Sequence, residues 1–418
     1  MKKRYDRPPL LELTRPSNLD IVNVDDFIYI SKDVSNSNLV TTSEGDVLVN
    51  AGTLEGGGRH KKEFASYRRG KLPYAIITQG HPDHFGGLAD LKEDDTEVIM
   101  QANNPEVRDY WSKLGPFYGE GLYRAFLGGQ PGTQRDTSSQ WGNATEQPTD
   151  ILFRDEYSFS LGDRDFELHS TPGGETTDSC IVWMPNELVV FTGNLFGPMW
   201  VNVPFINTLR GDRIRSVVQY IADVEKVRAL KPEILITGHG DPIRGADLLQ
   251  EKLVHLRDAV QFIHDYTIDG MNAGKDVYTL MRDIQLPDGL ELGQGHGKIA
   301  WAVRGIFTYY NGWYDRTNLA DMYHLPLRAM GRDLIELGGG PDGFVERAGD
   351  YVKEGEPLEA LHLTDLVLQV EDDHRGALAV RKEALEILLD WSGNENMAET
   401  MQLTGAIQSI SDKLASES

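Results

Sequence analysis

A chain of 418 residues is too long for one ordinary hydrophobic core and implies two domains or three. A formal net charge of −24 disfavours nucleic acid and anionic membranes as partners, and no run approaches the roughly 18 apolar residues of a membrane span. The single cysteine, Cys180, excludes an internal disulfide and a thiolate zinc cluster, so any metal must sit on histidine, carboxylate or amide groups.

The basic start, MKKRYDRPPLLELTRPSNLD, lacks an apolar h-region and a small-residue cleavage site. A cytoplasmic protein is expected, with a removed leader as the alternative. Short apolar or alternating runs bounded by Gly, Asn, Asp or Pro then predict strands over 26–31, 46–52, 74–79, 96–101, 165–170, 179–185, 188–194 and 233–240. Helical spacing intervenes at 59–69, 104–126 and 212–229. Residues 127–149 are rich in Gly, Gln, Ser and Thr and read as a lid or binding loop, or as a surface insert. Near 250 the texture changes. Helices are expected over 247–267, 275–284, 299–311, 343–353, 357–370, 374–390 and 397–415. The chain therefore divides into an α/β domain over 1–250 and an all-α domain over 251–418 suited to packing or self-association.

One strand end carries unusual chemistry. In IITQGHPDHFGG, residues 76–87, the apolar run stops and His81, Asp83 and His84 follow within four positions. Pro82 stiffens the turn, and Gly86-Gly87 let the backbone fold beneath it. Zinc favours neutral imidazole and carboxylate oxygen in a compact shell, which this cluster offers. The competing reading is a helix N-terminal cap cluster with Asp83 as the cap. Later strand ends supply Glu175 and Asp178 (STPGGETTDS), Asn194 (FTGN) and His239 (ITGHGDP).

The order H-x-D-H-x-G-G, T-P-G, F-T-G-[DN] and G-H-G resembles the metallo-β-lactamase fold superfamily. AVQFIHDYTIDGMNAGKDVYTLMRDIQLP, GHGKIAWAVRGIFTYYNGWY, NTLRG, GGGPDGFVERAGDYVKEGEPLEALHLTDLVL and LTGAIQSI resemble its alkylsulfatase branch, including that branch's dimerisation domain. The resemblance stops before the lipid-carrier-like C-terminal domain of typical members. It implies an αββα sandwich followed by an all-α dimerisation domain, and a homodimer formed through the latter. It implies one zinc site of Asp83, His84 and His239 and a second of Gln79, His81 and Glu175. Asn207, Thr208 and Arg210 would hold a sulfate. Three positions depart from the superfamily or branch pattern: Gln79 replaces a histidine, Gly174 stands where the wider superfamily has one, and Asn194 lacks the charge of a bridging glutamate. The expected activity is metal-dependent hydrolysis of a small-molecule sulfate ester. Carboxylic, lactone or phosphate ester cleavage is the alternative, and a dimeric binding protein with a degenerate site is a further one.

Overall fold

The computed structural model describes residues 18–127, 149–209, 211–314, 316 and 318–416. The loop expected at 127–149 lies almost wholly outside them, as does Arg210. The described residues form two compact units. The first takes in those up to Gly119 and from 149 to Tyr309, and the second takes in residues 120–127 and those from Tyr310 onward.

Two mixed sheets build the first unit. Strands β1 (Val22–Val24), β2 (Ile28–Ser31), β3 (Ser37–Thr41), β4 (Asp46–Ala51), β5 (Tyr74–Ile76), β6 (Glu97–Gln101) and β7 (Ile151–Phe153) lie side by side in sequence order. The first four pair antiparallel, and β4 to β7 pair parallel. The second sheet contains β8 (Glu156–Leu161), β9 (Arg164–Ser170), β10 (Cys180–Met184), β11 (Val189–Gly193), β12 (Ile234–Thr237) and β13 (Ile243–Arg244), in the order β13-β12-β11-β10-β9-β8. Only its β11–β12 pair is parallel.

The two-residue period of a strand assigns each side chain to a layer. Ile28, Ile30, Val47 and Val49 face a core that also receives Val182, Phe191, Ile234 and Ile236, so this apolar layer lies between the sheets. Tyr29 and Leu48 face outward, against α1 (Gly57–Phe64), α2 (Pro82–Phe85) and α3 (Leu88–Leu91). A long helix, α4 (Asn104–Leu127), follows β6. On the second sheet, Ile181, Trp183, Val190 and Leu235 face α5 (Val217–Leu230), α6 (Ala246–Asn272), α7 (Val277–Asp283) and α8 (Ile299–Asn311). The expected αββα sandwich is present.

The expected boundary near 250 falls inside this unit. Leu249, Leu253, Leu256, Val260 and Ile263 of α6, with Val303 and Ile306 of α8, share a core with Trp183 and Tyr220. The outer face of the second sheet needs an apolar cover, and these helices supply it. The expected helix over 212–229 begins only at Val217. Arg215 N–H bonds to the Ile206 carbonyl instead, and Ser216 caps the helix by accepting from Gln219 N–H.

The second unit is helical, with no strand among its described residues. Its helices are α9 (Gly331–Leu337), α10 (Pro341–Glu354), α11 (Pro357–Val370), α12 (Arg375–Ser392) and α13 (Met397–Ser416). Pro341 and Pro357 open α10 and α11 at the position where a missing N–H costs no hydrogen bond. Ala348, Ala360 and Ala384 form one small-residue core layer, and Leu378, Leu385 and Ile410 another. Large apolar side chains remain on the surface: Leu337 is 86% exposed and Trp313 78%, and Leu319, Tyr323 and Leu327 are also exposed.

Candidate metal centre

The segment after β5 leads into the four-residue helix α2. Pro82 occupies its first turn and His81 its N-cap position, without a side-chain capping bond. Asp83 therefore lies inside the helix, and the cap-cluster reading does not hold. The turn places His84 in the protein interior. His84 Nε2 is 3.6 Å from Asp83 Oδ2.

His239 reaches the same point from the second sheet. It follows β12, and its Nε2 is 3.9 Å from Asp83 Oδ2. One donor atom from each of Asp83, His84 and His239 falls within 4.8 Å of the others. The rings of His84 and His239 meet edge to face, with centroids 5.9 Å apart.

A third segment, between β2 and β3, fastens the two loops. His239 Nδ1–H donates to the Val34 carbonyl, which leaves the Nε2 lone pair facing Asp83. Asn36 N–H donates to the Gly238 carbonyl at 2.7 Å, and the Asn36 side-chain amide donates to the Gly240 carbonyl at 2.7 Å. Ser35 Oγ donates to the Gly238 carbonyl at 3.0 Å and lies 3.4 Å from His84 Nε2. A Cβ at Gly238 would lie 2.6 Å from both Asn194 Oδ1 and His84 Cε1, so only glycine lets the β12 loop approach this closely.

Charge follows burial. Burial lowers the His84 pKa to about 4, only partly offset by Asp83, so the ring is neutral near pH 7. Burial works against ionising Asp83, yet the fields of His84, His239 and His81 hold its carboxyl below the usual range. A carboxylate beside two imidazoles is a donor set that zinc accepts. His84 Nδ1 and Asn194 Oδ1 are buried with no hydrogen-bond partner among the described residues. The residues fit one metal ion.

The second expected set is arranged differently. Asn194 N–H donates to Gln79 Oε1 at 3.1 Å, and the Gln79 amide nitrogen lies 2.6 Å from His81 Nδ1. His81 Nδ1 is 3.8 Å from Glu175 Oε1, and His81 Nε2 is 3.8 Å from Asp212 Oδ2. Glu175 Oε2 is paired with Arg215 Nη1, while Arg215 Nη2 lies 3.9 Å from Asp212 Oδ2. The edge of Trp111 closes the far side of His81, with ring centroids 5.7 Å apart. Glu175, Asp212, Arg215, Trp111 and Tyr110 line one small cavity.

Sequence reasoning gave neither Arg215 nor Asp212 a role in the site. Both lie in GDRIRS, which reads as the opening turn of an amphipathic helix, where charged residues usually face solvent. Of the expected sulfate-holding residues, Asn207 is half-buried, with its Cβ near Gly305 of α8. Thr208 is buried, and its hydroxyl has no partner among the described residues. Asp178 lies behind the site, bonded by the Asn104 amide at 2.6 Å, and burial raises its carboxyl pKa. Phe196, Trp200 and Phe205 are buried, and Phe205 packs against His296 and Trp301.

Residues 30–239 match the metallo-beta-lactamase superfamily, and residues 279–408 match the alkyl sulfatase dimerisation family. A linear primary-alkylsulfatase of Pseudomonas sp. (strain ATCC 19151) is 25% identical over 405 residues, covering 88% of this chain and 74% of that protein. The alkyl/aryl-sulfatase BDS1 of Saccharomyces cerevisiae is 23% identical over 400 residues, covering 90% of this chain and 61% of that one. Among solved structures, a stereoselective inverting sec-alkylsulfatase from Pseudomonas sp. superposes with a TM-score of 0.80 at 20% identity, over 94% of this chain and 66% of that one. The chain thus spans about two thirds or less of the yeast relative and of this solved structure.

Proposed function

Because the chain belongs to the metallo-beta-lactamase superfamily, on its alkylsulfatase-like branch, we propose that it is a metal-dependent hydrolase cleaving the sulfate ester of an organic alcohol. The observation that carries this reading is the convergence of Asp83, His84 and His239 from two sheets onto one point. The relatives named alkylsulfatases support the choice of ester. Zinc bound there supplies Lewis acidity and lowers the pKa of water to about 7.

The protein's own groups do the rest. Asp83 provides the negative charge of the donor set. His84 stays neutral near pH 7, as a ligating imidazole must. The Val34 carbonyl fixes the His239 tautomer and ring angle. Trp111 and the Tyr110 ring bound the approach beside His81. Asn207, Thr208 and Arg210 are assigned to the anionic head. The buried, unpartnered Thr208 hydroxyl supports that assignment. Water and the ester give an alcohol and hydrogen sulfate. The helical unit is assigned to homodimer formation, supported by its family match and its exposed apolar side chains.

The test is sulfate release from a panel of linear, secondary and aryl sulfate esters, run beside carboxylic and phosphate esters. Enzyme stripped by chelator and reloaded with Zn2+ should recover sulfate release, and His84→Ala should lose both metal and turnover. Carboxylic ester cleavage without sulfate release would remove the sulfatase assignment. Full activity in metal-free protein would remove the metal-dependent one.

A further inference from the structure

The donors around His81 do not suit a second metal ion. The Gln79 amide is oriented by the Asn194 backbone, whose N–H can only meet an oxygen. Its NH2 group therefore faces His81 Nδ1 and donates to it. His81 Nε2 lies 3.8 Å from Asp212 Oδ2. Glu175 and Asp212 bring two carboxylates into an interior where their side chains are 6% and 9% exposed. The Arg215 side chain, 4% exposed, already meets both of them. Buried charge of this kind persists only when it is compensated, and the guanidinium balances one of the two carboxylates at every physiological pH. Asn194 adds only a neutral amide.

We propose that the Arg215 guanidinium occupies the role of a second cation, so that the centre takes one divalent ion, at Asp83, His84 and His239, and none at Gln79, His81 and Glu175. This inference rests on the metal-dependent reading above. It makes Arg215 a positioning residue: it holds Glu175 and Asp212 in place and cannot dissociate as an ion would.

The test is metal stoichiometry, read by elemental analysis of protein equilibrated with Zn2+ and by calorimetric titration of stripped protein. The expected values are one equivalent for the natural chain and one for Arg215→Lys, which keeps the charge. The double variant Gln79→His/Arg215→Ala restores an imidazole and frees both carboxylates, and it should bind two. Two equivalents in the natural chain, or one in a folded double variant, overturns the inference. If the double variant does not fold, anomalous scattering at the zinc edge from crystals of the natural chain decides. One peak beside Asp83 with Arg215 on Glu175 supports the inference, and a second peak beside His81 overturns it. No bound zinc in the natural chain overturns the metal-dependent reading itself, a result distinct from either count.

Discussion

His239 donates its Nδ1 proton to the carbonyl of Val34, a residue 205 positions earlier in the chain. That bond joins the β2–β3 loop of one sheet to the loop after β12 of the other and selects the imidazole nitrogen that faces Asp83.

The neighbouring clamp can be weakened without touching a ligand. Asn36→Ala deletes the side-chain bond to Gly240 and keeps the backbone bond to Gly238. Support of this kind is worth roughly 10- to 100-fold in metal affinity. Competition against a chromophoric chelator should show a loss in that range, with folding stability reduced by about 1 kcal/mol. Unchanged affinity would detach the β2–β3 segment from the metal centre.

Gly238→Ala tests how closely the loops must approach. The added methyl would lie 2.6 Å from His84 Cε1 and Asn194 Oδ1. Overpacking costs about 1–3 kcal/mol, and His84 must move to relieve it. Zinc content should fall sharply while far-ultraviolet circular dichroism stays unchanged. A folded variant with full zinc would contradict the described contact.

Two buried groups tilt stability against pH in opposite directions. Burial raises the Asp223 carboxyl from 3.8 to about 7, so between those values the native state holds a proton that the unfolded chain has released. Its contribution is present at low pH and lost as pH rises through 7. Burial, aided by Arg59, lowers His60 from 6.5 to about 4, so its contribution is present above 6.5 and lost as pH falls toward 4. The spans correspond to the order of 4 and 3 kcal/mol. Relative to the natural chain, Asp223→Asn should gain stability from pH 4 to 7, and His60→Gln should gain it from pH 6.5 down to 4. Urea unfolding at pH 5 and 7.5 checks both slopes, and a reversed sign in either variant would disprove that assignment.

The helical unit offers a test of self-association. Leu327 and Leu337 are exposed in the isolated chain. Leu327→Glu/Leu337→Glu should shift the mass measured by light scattering from dimer to monomer without loss of helix. A natural chain that is monomeric at every concentration would refute the dimer assignment.

The sequence revealed the framework because strands buried on both faces read as apolar runs. YAIITQ, LVVFTGN and EILITGHG all lead into site loops. SNLVT and EYSFSL form β3 and β8 despite their polar residues, because pairing with β4 and β9 satisfies the backbone whatever the side chains. Asp83, His84 and His239 were legible from residue type and placement at strand ends. The role of Gln79 was not, because it depends on a backbone N–H at Asn194 that no local pattern marks. Arg215 was hidden for a related reason: its partners lie on another loop, and only tertiary structure separates a buried guanidinium from a solvated one.

Asp83 and His84 hang from the first sheet and His239 from the second. An ion gripped by all three is therefore a rivet through the sandwich as well as a reagent. The unfolded chain has no such grip, so occupancy adds to resistance against unfolding in proportion to the logarithm of free ion concentration. Chelation would silence the chemistry and loosen the joint between the sheets in one stroke, leaving the melting temperature as a gauge of how much metal the surroundings supply.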